Sequence, residues 1–249
     1  MNSTFRKQLR GGEKLIGTML SLTSPAVAEV LAATGIDWLF IDAEHGTFGT
    51  GDIQSVLQAA GQQVPCIVRV EEAAELPIKK SLDAGAAGVI VPSVNSAEQA
   101  EEIVRYARFS PEGSRGVGLA RAHGYGKTFS EYLDTANDQI AVIVQVEHFQ
   151  AVENIEKIVK VPGVDAVLVG PYDLSASLGK MGQFDDPQFI EAIDHVTETC
   201  LAAKIPLGIF GVSPAAVRPY IERGYTLIVV GVDTMLLAST TEHMLKELR

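Results

Sequence analysis

The sequence has little of the material from which disulfide scaffolds, membrane spans and secretion signals are built. It contains only two cysteines, Cys66 and Cys200, which are too few for a disulfide framework and indicate reduced thiols in a reducing compartment. No apolar run approaches the roughly 18 residues of a spanning helix. The first residues, MNSTFRKQLRGGEKL, lack the apolar core of a secretion signal. We therefore expect a cytoplasmic protein with no membrane partner.

Positive charge is scarce as well. The chain has 20 Lys and Arg against 31 Asp and Glu, a net charge of −11, so a phosphate-binding surface for DNA or RNA is not expected. A hydrophobic content of 47% excludes a disordered chain. At 249 residues, one large α/β domain over residues 1–249 is the expected organisation.

Short β-branched runs alternate with helical patterns along the chain, which is typical of a parallel α/β sheet. Most helical patterns follow a predicted strand, and several begin with a capping residue before proline, such as Ser24, Asp186 and Ser213. Eight strands that alternate with helices predict a (β/α)8 TIM barrel, with a doubly wound open sheet as the alternative. The predicted strands are Leu15–Leu20, Trp38–Asp42, Cys66–Val70, Gly88–Pro92, Ile140–Glu147, Asp165–Gly170, Pro206–Phe210 and Thr226–Val232.

One connection is longer than a barrel requires. Residues 109–139 separate the fourth helix from the fifth strand. Two interpretations stay open: a surface excursion with a helical turn near 129–136, or an arm that contacts a neighbouring subunit.

Polar side chains stand where the predicted strands end, and active sites of such barrels lie at that edge. Glu147 and Asp173 follow neighbouring strands and are suitable ligands for a hard divalent cation such as Mg²⁺ or Mn²⁺. Either carboxylate alone is equally well explained as a helix cap. The strand-end candidates are Asp42, His45, Arg69, Gln145, Glu147, Tyr172 and Asp173.

His45 and Arg69 are the most informative of these residues. His45 is the best-placed general base, because imidazole titrates near neutral pH and Asp42 lies close in sequence. Arg69 stands inside an otherwise apolar strand and needs an anion, which is either a substrate oxygen or a structural partner such as Asp42 or Glu71. The ten lysines all lie outside the strands, which disfavours a Schiff-base mechanism.

Seven segments, in order, resemble the HpcH/HpaI class II pyruvate aldolases, which are metal-dependent enzymes that cleave 4-hydroxy-2-oxo acids to pyruvate and an aldehyde. Individually strings such as VQVE are weak signals, but seven in register are specific. The segments are GIDWLFIDAEHG (35–46), VRV (68–70), LDAGAAGVIVP (82–92), SPEGSRGVG (110–118), VQVE (144–147), GVDAVLVGPYDLSASLG (163–179) and VGVDTMLLA (230–238).

The resemblance implies a role for each candidate. Glu147 and Asp173 would bind Mg²⁺, Mn²⁺ or Co²⁺, and Gln145 would lie near the metal and substrate. Arg69 would bind the pyruvate oxygens, while His45 would be the base, oriented by Asp83 and beside Asp42. Met19 and Phe210 would line the acceptor side. Met19 stands where some members have tryptophan, and Phe210 stands where leucine is frequent.

The family is usually hexameric, which implies a homohexamer. The loop at residues 115–126 would reach a neighbour's site and bring Leu119 as an apolar wall for the aldehyde. Two alternatives remain: a CoA-ester lyase of the citrate lyase β or malyl type, which needs basic residues for the CoA phosphates, and a barrel that binds a 2-oxo acid without catalysis.

Overall fold

The computed structural model describes residues 4–249, in which eight parallel strands pair in chain order and close into a barrel. The predicted (β/α)8 barrel is confirmed. The open-sheet alternative is wrong, because β8 pairs with β1 and leaves no edge. The strands are β1 (Leu15–Leu20), β2 (Trp38–Asp42), β3 (Cys66–Arg69), β4 (Gly88–Val91), β5 (Ala141–Val146), β6 (Ala166–Val169), β7 (Leu207–Gly211) and β8 (Leu227–Val232).

The helices begin largely where the capping signals predict. Ser24, Asp186 and Ser213 each accept a hydrogen bond from a first-turn amide, and a proline follows each of them. The described helices are α1 (Thr4–Arg10), α2 (Pro25–Ala32), α3 (Thr50–Ala60), α4 (Glu75–Asp83), α5 (Ala97–Ala107), α6 (Phe129–Gln139), α7 (Phe149–Ile158), α8 (Pro171–Ser177), α9 (Pro187–Ala203), α10 (Pro214–Glu222) and α11 (Asp233–Leu248). None of them combines the length and the apolar character that a bilayer crossing requires.

The sequence pattern predicts no helix before β1, but α1 forms there. Phe5 and Leu9, four residues apart on one face, are buried and pack with Trp38 into the interior core of the barrel. The Phe5 and Trp38 rings lie 6.0 Å apart. The helix therefore closes the interior of the barrel at its amino end.

Residues 109–139 contain more structure than a surface excursion with one turn. A 3₁₀ segment spans Arg121–Gly126 and leads into α6, which is three turns long. Arg115 bonds Asp83 at 2.6 Å, and Arg121 donates to the carbonyl of Leu57 at the end of α3. These contacts hold the segment at the amino end of its own barrel.

Candidate active site

A cavity of about 280 Å³ opens at the carboxyl ends of the strands. Its position follows from the fold, since each strand delivers its last residue to this edge. Apolar side chains from β1, β2, β6 and β7 form part of its wall, and polar side chains from the ends of β2, β3 and β5 form another part. The lining residues are Met19, Phe40, Asp42, His45, Arg69, Gln145, Leu168, Val169, Gly170, Pro171, Tyr172, Asp173 and Phe210.

Arg69 is buried at the edge of this cavity and held by two carboxylates. Asp42 and Arg69 end adjacent strands in register, which places their side chains together. The Arg69 Nε and Nη2 atoms donate to Asp42 at 2.9 and 2.8 Å, and Nη1 lies 3.0 Å from Glu44 Oε2. The Arg69 guanidinium also lies over the Phe40 ring at 5.3 Å. Asp42, Glu44 and Arg69 are called the Arg69 cluster below.

The electrostatics of the Arg69 cluster keep the arginine charged. Burial by itself would lower the pKa of the Arg69 guanidinium, but the bond to Asp42 and the charges of Asp42, Glu44 and Glu147 outweigh it and raise that pKa. Burial also raises the pKa of the Glu44 carboxyl, against the opposing charge of Arg69. The predicted structural partner Asp42 is therefore present, whereas Glu71 is absent from the cluster.

Glu44 is a site residue to which the sequence analysis assigned no role. Its Oε2 atom faces Arg69 Nη1 and also lies 3.7 Å from Nε2 of His45. The same oxygen accepts no hydrogen bond from the described residues although it is buried. Within the chain, Glu44 is thus the carboxylate that lies against the exposed His45 ring.

Glu147 follows β5 and is oriented on both of its oxygens. Ser93 donates to Oε1 through its backbone N–H at 2.7 Å and its hydroxyl at 3.0 Å, while the Gln145 amide donates to Oε2. The Gln145 Oε1 atom is buried without a hydrogen-bond partner among residues 4–249. The site therefore holds one acceptor without a partner, on Gln145, and one on Glu44 whose contact with Arg69 is an ion pair that does not meet hydrogen-bond geometry.

Gly170 lets the end of β6 approach Glu147 closely. A Cβ at this position would lie 3.0 Å from Glu147 Oε2 and 3.2 Å from the Gln145 amide nitrogen. The glycine is the N-cap of α8, whose first turn carries Tyr172 and Asp173 to the cavity. Glu147 thus lies behind Gly170 at the edge of the cavity, whereas Asp173 lines it directly.

Two of the predicted site residues lie at the opposite end of the barrel within one chain. Asp83 ends α4 at the amino end of the barrel, where it pairs with Arg115, so the predicted contact with His45 does not form inside the chain. Leu119 belongs to the segment held at that same end, and its side chain is 77% exposed. Asp83 is the last residue of α4 and Leu119 lies in the segment after α5, and helices of this barrel end at its amino end.

The donor set fits a hard divalent cation. No group of three or more His, Cys, Asp and Glu with metal-binding geometry occurs within residues 4–249. Two carboxylates with the remaining positions left to water and substrate oxygens are, however, a common arrangement for Mg²⁺. The buried, unpartnered Gln145 oxygen and the excess of carboxylates over Arg69 give a cation favourable partners.

Comparison with known proteins assigns the family. A model of the HpcH/HpaI aldolase/citrate lyase family matches residues 15–240. The chain belongs to this family. It is 38% identical to a hydroxypyruvate/pyruvate aldolase of Cupriavidus necator over 100% of this chain and 93% of the relative. It is 39% identical to a 2-keto-3-deoxy-L-rhamnonate aldolase of Klebsiella pneumoniae over 98% of this chain and 92% of the relative.

A solved structure of a family protein from Burkholderia cenocepacia superimposes with a TM-score of 0.96 at 40% identity and covers 100% of both chains. These findings confirm the resemblance and the prediction that the chain is an enzyme, a carbon–carbon lyase of the aldolase type.

Proposed function

We propose that this HpcH/HpaI chain is a divalent-metal-dependent aldolase that cleaves 4-hydroxy-2-oxo acids to pyruvate and an aldehyde, or joins them. The observation that carries the proposal is the carboxylate-rich end of the barrel. Glu147 and Asp173 would hold Mg²⁺, Mn²⁺ or Co²⁺, and Arg69 stands close by with its geometry fixed by Asp42 and Glu44.

The reaction divides between the cation and the protein. The cation, when bound, supplies the positive charge that polarises the carboxylate and ketone oxygens of a 2-oxo acid. His45 takes the proton from the C4 hydroxyl, the C3–C4 bond breaks, and its electron pair passes to the ketone oxygen as the aldehyde leaves. Arg69 retains N–H groups beyond those bonded to Asp42 and stabilises the charge on that oxygen. Protonation at C3 then gives pyruvate.

The cavity lining supports the aldolase over the alternatives. Arg69 is the only arginine of the lining, it is already paired with two carboxylates, and the lining has no lysine. A CoA ester therefore finds no basic cluster here for its phosphates. A lysine-based Schiff base has no residue to form on, since such a lysine must lie buried in the site. A purely binding role does not explain a histidine that lies 3.7 Å from the Glu44 carboxylate at the edge of the cavity.

Assembly into a homo-oligomer, with a hexamer as the expected state, completes the proposal. Six large apolar residues of α11 are exposed, and such a surface is typical of an interface. They are Met235, Leu236, Leu237, Met244, Leu245 and Leu248. Asp83 and the loop 115–126 lie together at the amino end of their own barrel, so they reach a His45 or an acceptor only in another copy.

The test is metal removal during cleavage of a 4-hydroxy-2-oxo acid, followed as pyruvate released. We expect excess EDTA to abolish cleavage and Mg²⁺, Mn²⁺ or Co²⁺ to restore it. Full activity in EDTA would contradict the metal role. Release of acetyl-CoA from a CoA ester, with no cleavage of the 4-hydroxy-2-oxo acid, would favour the CoA lyase instead.

A further inference from the structure

Ser93 has a backbone conformation that serine seldom adopts. Its φ is +54°, in the left-handed region that favours glycine. The other described non-glycine residues with positive φ are Tyr125, within the 3₁₀ segment, and Lys204, which caps the C-terminus of α9. A left-handed residue at a helix end is ordinary. Ser93 instead follows β4 at the carboxyl edge of the barrel, where strained residues often serve a site.

The strained conformation aims both donors of Ser93 at one atom. The backbone N–H and the hydroxyl converge on Glu147 Oε1 at 2.7 and 3.0 Å, across 54 residues of sequence. The next residue, Val94, donates its N–H to the carbonyl of Gln145 at 3.3 Å. The turn after β4 is therefore fastened to the end of β5 at two points, and Glu147 is held through it.

The hydrogen bonds from Ser93 leave the two oxygens of Glu147 with different acceptor capacity. A carboxylate oxygen has two acceptor positions, and Ser93 occupies both on Oε1. Oε2 accepts only from the Gln145 amide and keeps one position. It is also the oxygen that faces Gly170, where a methyl group would lie 3.0 Å away. Oε2 is thus the only oxygen of Glu147 with acceptor capacity left for a cation.

We propose that Ser93 is a positioning residue. Its two hydrogen bonds occupy Oε1 of Glu147 and so leave only Oε2 to bind the divalent cation. The inference rests on the proposed function, since it needs Glu147 to be a metal ligand. Residues that hydrogen-bond a metal-ligating carboxylate commonly change metal affinity by about 10- to 100-fold when they are mutated. Ser93 therefore affects metal binding without touching the metal or the substrate.

The test measures Mn²⁺ affinity by isothermal titration without substrate, so that it does not depend on turnover. Ser93→Ala removes the hydroxyl donor and keeps the strained backbone, whereas Ser93→Gly also removes the strain. We expect both variants to bind Mn²⁺ about tenfold more weakly than the parent. The melting temperature of Ser93→Gly is expected to be at least as high as that of Ser93→Ala. Weaker metal binding in Ser93→Gly would then not be explained by lower stability.

Ser96 provides a matched control three residues along the same turn. Its hydroxyl caps α5 by accepting from the Gln99 N–H at 3.3 Å and does not contact Glu147. Ser96→Ala is expected to lower the melting temperature and to leave the Mn²⁺ dissociation constant within about twofold of the parent, since a lost cap acts on the helix. Equal weakening by Ser96→Ala and Ser93→Ala would overturn the proposal, because any disturbance of the turn would then suffice.

Titration of the parent protein distinguishes a failure of the Ser93 proposal from a failure of the proposed metal dependence. A parent that binds Mn²⁺ together with a Ser93→Ala variant of unchanged affinity contradicts the role of Ser93 and leaves the proposed function intact. A parent that binds no Mn²⁺ contradicts the metal role itself, and the proposal for Ser93 falls with it.

Discussion

Buried arginines meet buried carboxylates at both ends of the barrel, but the charge balance at the two ends is opposite. At the amino end, Arg6 bonds Asp165 at 2.9 Å and Arg108 lies 3.5 Å from the same carboxylate. Arg6, Arg108 and Asp165, the amino-end cluster, put two guanidinium groups on one carboxylate. At the carboxyl end, two carboxylates surround Arg69.

The surroundings of the two clusters differ as well, because one end of the barrel is closed and the other borders a cavity. Burial first, and then the nearby charge of Arg6, lower the pKa of Arg108 to about 10, against the opposing charge of Asp165. Phe5 and Leu9 of α1 close that end. The Arg69 cluster borders an open cavity and contains two carboxylates for one arginine. A buried arginine is therefore no indicator of a site by itself; excess carboxylate beside a cavity is.

The largest expected effect is a loss of stability from Asp165→Asn. It leaves Arg6 and Arg108 buried without their counter-charge, which costs about 3–5 kcal/mol of unfolding free energy. Urea denaturation measures it. As a control, Asp194→Asn removes an ion pair with Arg223 that is 48% and 37% exposed, and we expect less than about 1 kcal/mol. Similar losses in both variants would contradict a structural amino-end cluster.

Arg69→Ala is expected to act on chemistry. Loss of the charge facing the ketone oxygen should reduce both aldol cleavage and proton exchange on pyruvate, at a cost of roughly 2–4 kcal/mol in kcat/KM. Both rates are measured on the same preparation, with the exposed Arg105→Ala as control. Near-normal exchange would make Arg69 structural, as Arg6 and Arg108 are, and the comparison between the two ends would fail.

Glu147→Gln tests the carboxylate excess directly. It keeps the shape of the side chain but removes a charge, so Mn²⁺ affinity should fall by about 100-fold or more while the melting temperature changes little. Titration calorimetry and thermal melting give the two values. The exposed Glu156→Gln on the following helix should change neither, and unchanged metal affinity in Glu147→Gln would remove that residue from the site.

Leu119→Glu has the smallest expected effect and tests the shared site. A charge on the proposed apolar wall should raise the KM of the aldehyde by roughly tenfold and leave pyruvate exchange intact. Initial rates of aldol addition at varied aldehyde concentrations provide this KM. A fully active monomer in light scattering, or an unaltered KM for the aldehyde in Leu119→Glu, would contradict the shared site. The loop 115–126 would then be a surface segment without a role in catalysis.

The sequence predicts the barrel and the strand-end residues because both depend on local pattern. Eight apolar runs with helices between them leave little choice of topology, and Asp42, Arg69 and Gln145 stand at strand ends whatever their partners are. Glu44 stood in the same strand-end string as Asp42 and His45. A carboxylate next to a candidate base was the signal that would have assigned it a role.

Other features depend on distant contacts and are not readable in a single sequence. The left-handed backbone of Ser93 and its bonds to Glu147 have no local signature. The position of Asp83 at the opposite end follows from its place at the end of a helix, which a motif match by itself does not take into account. For α1, the spacing of Phe5 and Leu9 was a helical signal hidden in a polar segment.

The most direct test of the account is the exchange of the pyruvate methyl protons with deuterated water, followed by mass spectrometry. It isolates enolate formation at the carboxylate-rich end and needs no knowledge of the aldehyde. The account predicts exchange that requires Mg²⁺, Mn²⁺ or Co²⁺ and stops in excess EDTA. Exchange that continues in EDTA, or pyruvate trapped on a lysine by borohydride, would contradict it.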